Sequence, residues 1–138
     1  MDVREVLKYQ METCAKQVDA AFDSLPDGLW DRKTSEGCMT PGETIHHLAE
    51  AYAAARKHMS GEDHEWGSYK LEGSDPSELL QAMRTERQLA VEAILSGDPE
   101  KAPEAATQYL MLHDAYHVGQ MCALRVREEP TWDAYSIY

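Results

Sequence analysis

The sequence predicts an all-α protein, a four-helix bundle in one domain spanning residues 1–138, with at least two long connections. Three observations lead there. Apolar residues recur at three- and four-residue steps in four separate stretches, and none of these alternates as a strand would. Turn signals fall between the stretches: Pro26-Asp27-Gly28, Ser60-Gly61, and Gly97 followed by Pro99. The composition is rich in Ala, Leu and Met, holds a single Phe and is poor in β-branched residues, and unbranched side chains lose little rotamer freedom in a helix. With 138 residues and 43% apolar side chains, the chain is long enough to bury a core of its own.

The first helix is expected from about Asp2 to Ser24, with Val3, Leu7, Cys14, Val18, Ala21 and Leu25 as its apolar stripe. A loop follows through Met39, anchored to the core by Trp30. The second helix has the clearest start. Thr40 stands at the N-cap, Pro41 at the first helical position and Glu43 at the third, which is a capping box with a proline entry. It runs to about Met59, and the polar stretch Glu62–Ser74, with Trp66 and Tyr69, reads as a surface loop. Asp75 and Pro76 open the third helix, Leu79, Leu80, Met83, Ala90 and Ile94 make its buried face, and Gly97 closes it. The fourth is expected over roughly Pro103–Glu128. Tyr109, Leu110, Leu112, Tyr116, Met121, Leu124 and Val126 leave it little polar face, which implies burial on several sides or a dimer interface. The tail from Pro130 to Tyr138, with Trp132 and Tyr135, is expected to fold back on the surface.

Charge narrows the partners. A net charge of −12 repels nucleic-acid phosphates and anionic membranes, and no Lys/Arg stripe offsets it. No stretch approaches the eighteen or so uninterrupted apolar residues of a membrane span, and the N-terminus lacks a secretory apolar region, so a cytoplasmic location is expected. Cys14, Cys38 and Cys122 are an odd number at unrelated spacings, which indicates neither a disulfide framework nor a cysteine-based zinc site; Cys14 and Cys122 read as core thiols.

Six histidines carry the chemistry. His113 and His117 project from one face of the fourth helix, roughly 6 Å apart, where two imidazoles can share a metal. They fall in one sector with Leu110, Gln120 and Leu124, flanked by Tyr109 and Tyr116. Two adjacent buried histidines resist protonation together, and a shared cation satisfies both lone pairs. A facing helix would supply the third ligand, from His46 or His47. His46 shares its sector with Glu50, Ala53 and Lys57, which reads as solvent. His47 lies with Thr44, Ala51, Ala54 and His58, mostly small residues that let a helix come close, and sector geometry favours it. His58 is too far along to join, and His64 sits in the polar loop and reads as exposed.

The stretch from Met39 to Tyr52 (MTPGETIHHLAEAY), followed by HDAYHVGQ from His113 to Gln120, resembles the DinB-like (DinB/YfiT) superfamily. That family places a histidine before Leu in its second helix and an HxxxHxGQ signature in its last long one. The resemblance covers almost the whole chain and implies an up-down-down-up bundle, metal ligands at His47, His113 and His117, and a homodimer formed by helix packing. Ala115, Gly119 and Cys122 make a small-residue face suited to that contact. Val118 stands where members usually carry a basic residue, a change at the pocket rim or the dimer contact.

Three neutral nitrogens leave a divalent transition metal an open position and its full charge. Zn or Ni head the candidates, with Co, Fe and Cu also suited to nitrogen ligation. The related superfamily members are thiol transferases or thiol-dependent isomerases, which implies activation of a low-molecular-weight thiol for transfer to an electrophilic small molecule. Tyr116 and Gln120 are the pocket hydrogen-bonders that could assist. The alternatives are metal-dependent hydrolysis, with Glu43 or Glu50 as general base, and a non-catalytic dimeric bundle with a structural metal.

Overall fold

The computed structural model describes residues 2–138. Its helices are α1 (Val3–Phe22), α2 (Pro41–Ser60), α3 (Pro76–Ser96), α4 (Ala102–Ala105) and α5 (Leu112–Glu128). A six-residue π-helix, Ala106–Met111, joins α4 to α5 without a break, so these two run as one long rod. The architecture is therefore the four-helix bundle expected, with no strand among the described residues. The start signals act as read. Thr40 Oγ1 accepts from the Glu43 N–H at 3.1 Å, and Glu43 Oε1 accepts from the Thr40 N–H at 3.1 Å. Asp2 and Glu5 form a second capping box on α1, and Asp75 caps α3. Gly61 ends α2 in the left-handed region (φ 78°), which costs a glycine nothing.

Contacts across the bundle fix the helix directions. Arg4 at the start of α1 reaches the carbonyl of Gly97 after α3, while Arg84 early in α3 pairs with Asp19 late in α1, so these two are antiparallel. His47 meets His113 and His117, and His58 further along α2 meets Tyr109, so α2 and the last rod are also antiparallel. Arg125, late in the rod, donates to the carbonyl of Ala21, late in α1, and those two run parallel. The order is up-down-down-up. Helices α2 and α3 are consequently parallel neighbours. A side chain at Gly97 would meet the Ala93 carbonyl oxygen of its own chain at 2.7 Å as well as Met59 Cε at 2.6 Å, and the backbone oxygen cannot yield as the methionine can, which favours glycine there.

Met11, Val18, Ile45, Leu48, Tyr52, Met83, Ile94 and Leu110 form the centre of the core. Trp30 stacks on Phe22 and Ile137 packs on the core, as the anchoring roles of the loop and tail require. Three expectations change. Val3 is exposed, and Met11, fully buried, takes a place on the stripe instead. Helix α1 stops at Phe22, short of Ser24, whose φ of 52° is left-handed. The last rod is not buried all round: Leu112, Tyr116 and Val126 face solvent, while Leu110, Met121 and Leu124 face inward. Cys14 and Cys122 are half-buried, with Cys122 packed against the core.

One polar network crosses this core. Asp114, fully buried on α5, faces Arg87 Nη1 of α3 at 2.6 Å and accepts from the Tyr52 hydroxyl of α2 at 2.6 Å. Arg87 also donates to the Tyr52 oxygen (2.7 Å) and to the Met11 carbonyl of α1 (2.8 Å). Every helix of the bundle thus contributes to one buried cluster. Burial pushes the Asp114 carboxyl and, strongly, the Tyr52 hydroxyl upward, while Arg87 pulls both the other way.

Candidate metal centre

His47 leaves α2 from the face whose neighbours Thr44, Ala51 and Ala54 are buried, and these small side chains bring the last rod close. His113 and His117 leave the first two turns of α5. The three rings converge. Their centroids lie 4.9 Å apart for His47–His117, 5.4 Å for His47–His113 and 6.5 Å for His113–His117. Two imidazoles bound through Nε2 to one tetrahedral ion have centroids roughly 5 Å apart. Both contacts of His47 match that spacing, and the His113–His117 pair has to close by roughly 1 Å. Accordingly, no group of three His, Cys, Asp or Glu among the described residues already has the geometry of a metal-binding cluster.

Hydrogen bonds fix which nitrogen two of the three rings offer. His113 Nδ1 lies 2.7 Å from the Gln108 carbonyl, which can only accept, so Nδ1 carries the proton and Nε2 its lone pair. The π-helix makes that carbonyl reachable. In an α-helix the Leu112 N–H would occupy it, but here that N–H donates to the Thr107 carbonyl. His117 Nδ1 sits 2.9 Å from Gln120 Oε1, while Gln120 Nε2 reaches the Tyr116 hydroxyl at 3.3 Å, an orientation that makes the amide oxygen the acceptor from His117. Both rings therefore present Nε2 as a neutral donor, the tautomer that metal-ligating histidines adopt. Burial pushes the His117 imidazole down to about 4, helped by the neighbouring His47 charge. His47 is lowered too, by burial and then by His113. Neutral, lone-pair-bearing rings of this kind fit a divalent transition metal.

The other candidates separate around these three. Tyr116 and Gln120 border the site as expected, joined to each other, and Tyr116 stands edge-on to His117 at 5.0 Å. The Glu43 carboxylate is engaged in its cap, whose hydrogen bonds lower its pKa. His46 is half-buried against Tyr69, and its sector is not solvent, since Glu50 is 5% exposed and Ala53 is buried. The segment between α2 and α3 accounts for this. Glu50 Oε1 accepts from the Gly67 N–H at 2.6 Å and from His64 Nε2 at 2.9 Å. Burial opposes the Glu50 charge, but these bonds outweigh it and hold the carboxyl below its usual range. His64 is accordingly not exposed: its side chain is 6% accessible. Between His64 and Gly67, the Trp66 indole stacks on His113 (13°, centroids 6.1 Å) and lies 6.0 Å from His47. His58 is remote, beside Tyr109 and Glu104.

Two cavities meet at His47 and Met39. One of about 440 Å³ is lined by His47, His113 and His117 with Gln108, Leu112 and Tyr116; the other, of about 540 Å³, by Glu43, His46, Glu50, Gly67 and Leu79. Sequence reasoning missed Trp66, Gln108 and the Tyr52–Arg87–Asp114 network. A signal existed for the network alone: Arg87 interrupts the apolar stripe Met83–Ala90–Ile94, and a core tyrosine needs a partner for its hydroxyl.

Comparison with known families matches residues 10–121 to the DinB superfamily. The chain belongs to that superfamily. The match contains α2, α3 and all three converging histidines. DinB proteins are generally metal-binding. No curated protein and no solved structure matches the chain. Among the described residues, no helix is long and apolar enough to cross a membrane.

Proposed function

We propose that His47, His113 and His117 hold one divalent transition metal, zinc or nickel first among the candidates, and that the site activates a small thiol for transfer to an electrophilic small molecule. The observation that carries this is the convergence of three imidazoles from two helices, two of them tied at Nδ1 so that Nε2 is free. When bound, such an ion lowers the pKa of a thiol or water at its open position.

The chain's own residues do the rest. Gln108 and Gln120 hold two rings in register and in the donor tautomer. Tyr116, linked to Gln120 and lining the cavity, offers a hydroxyl to an incoming group. Met39 and Leu112 line the cavity with apolar surface, and Trp66, stacked on His113, extends that surface beside it. Hydrolysis is less well supported, because its base would be Glu43 or Glu50, and both carboxylates are engaged elsewhere. The small-residue face of α5, with Ala115 and Gly119 exposed, supports a homodimer by helix contact.

Elemental analysis of untagged protein beside His113→Ala tests the ligand set. About one ion per chain, absent from the variant, is expected. Equal metal in both forms, or none in either after incubation with zinc and nickel, would sink the proposal. Metal-loaded protein that never exceeds the uncatalysed rate with a panel of thiols and electrophiles would remove the transferase part alone.

A further inference from the structure

Trp66 is held in place from both sides and yet left half in water. The bonds from His64 and Gly67 to Glu50 fix the backbone around it, and its ring is laid over His113 and His47, but 50% of it remains accessible. An indole is a large apolar surface to leave in solvent. It is not alone. Met39, Leu112 and Tyr116, three more of the exposed large apolar side chains, stand around the same histidines. Scattered apolar residues on a surface need no explanation, but a cluster at the mouth of a cavity marks a ligand site.

Charge narrows the ligand. Neither cavity wall includes a Lys or Arg, so once the metal's open position is taken by the thiol a second anionic group finds no side-chain counter-ion, and the chain's net charge of −12 repels it further. Of the carboxylates on the walls, Glu50 is buried and engaged by His64 and Gly67, and Glu43 is turned to its cap at Thr40, so neither is presented to a group stacked on Trp66. We propose that the mouth of the histidine cluster is a subsite for an uncharged aromatic group, selected by stacking on Trp66. This deepens the metal-centre reading and rests on it, because the group is delivered to the three histidines.

The test loads the protein with Co²⁺, measures its cobalt content, and titrates it with benzyl thiol, ethanethiol and 4-(mercaptomethyl)benzoate. Binding is followed by the thiolate-to-cobalt absorption band. Benzyl thiol is expected to bind about three- to tenfold more tightly than ethanethiol, the range of one aromatic stacking contact. The carboxylated thiol is expected to be the weaker of the two aromatic ones. Trp66→Leu should abolish the aromatic preference and Trp66→Phe should keep most of it, both with unchanged cobalt content and helical circular dichroism. Equal affinities for the three thiols, or a preference that survives Trp66→Leu, would overturn the subsite while leaving the metal centre standing. The wild-type comparison decides this even if a variant fails to fold. No cobalt uptake would overturn the underlying reading, and the subsite with it.

Discussion

Replacing Arg87 with Met takes one partner from a buried ion pair and leaves the other behind. Asp114 has no exposure to water, and its contacts are Arg87 Nη1 at 2.6 Å and the Tyr52 hydroxyl at 2.6 Å. After the substitution only the tyrosine remains. Burial already pushes this carboxyl upward, so without the guanidinium it either takes up a proton and gives up the ion pair or stays charged in a medium that solvates it poorly. Breaking a buried pair from one side costs about 3–5 kcal/mol. The Met11 carbonyl also loses the donor that ties α1 to α3. A domain of this size holds about 5–15 kcal/mol in total, so the variant is expected to be marginal. Its melting temperature should fall by about 10–15 °C. Urea denaturation followed by far-ultraviolet circular dichroism measures the loss. The companion is Tyr52→Phe/Arg87→Met/Asp114→Leu, which removes every member and should recover to within about 2 kcal/mol of the parent, since an apolar replacement avoids the stranded charge. A loss below about 1 kcal/mol for Arg87→Met, or a triple variant no better than the single one, would refute this reading of the core.

Three further outcomes follow from the site. Gln120→Ala frees the His117 ring from its amide and should weaken metal binding about 10- to 100-fold without unfolding the chain, measured by competition with a chelating dye; unchanged affinity would remove Gln120 from the site. Metal-free protein should lose stability as pH falls. His117 charges near 6.5 when unfolded but only near 4 when folded, so the unfolded chain binds more protons between those values. Allowing for the ring's access to the cavity, the loss is about 2 kcal/mol, present in full near pH 4 and absent above about pH 7. Urea midpoints across that range measure it, and a flat profile, or a slope undiminished in His117→Gln, would contradict it; the residual slope in the variant belongs to His47, which is lowered too. Glu43→Ala removes half of the α2 capping box and should cost about 0.5–2 kcal/mol while metal content stays at the parent value; loss of metal instead would make Glu43 part of the site.

The bundle was legible because its signals are local. Thr40-Pro41 with Glu43, Asp75-Pro76 and the periodic apolar stripes each act over one or two turns, and helix order followed from them. The pairing of His113 with His117 was legible for the same reason, and the small residues beside His47 indicated which α2 histidine the last rod would meet. What escaped depends on distant chain segments. The expected solvent face around His46 holds only until the α2–α3 segment folds over it, and that fold is set by Glu50 bonding His64 and Gly67 far along the chain. The π-helix left no local trace either. Nothing in Ala106–Met111 distinguishes it from ordinary helix, yet it determines where His113 points. Exposure of Leu112, Tyr116 and Val126 was hidden because an apolar helix face turned to solvent and one turned to the core follow the same period.

X-ray absorption at the metal edge of zinc-loaded protein tests the three-histidine centre most directly. Three imidazole nitrogens at about 2.0–2.1 Å, with the multiple scattering of whole rings, are expected in the parent and in His46→Ala. His47→Ala should show two. A sulfur shell near 2.3 Å, or a ring count that falls in His46→Ala and not in His47→Ala, would contradict the assignment.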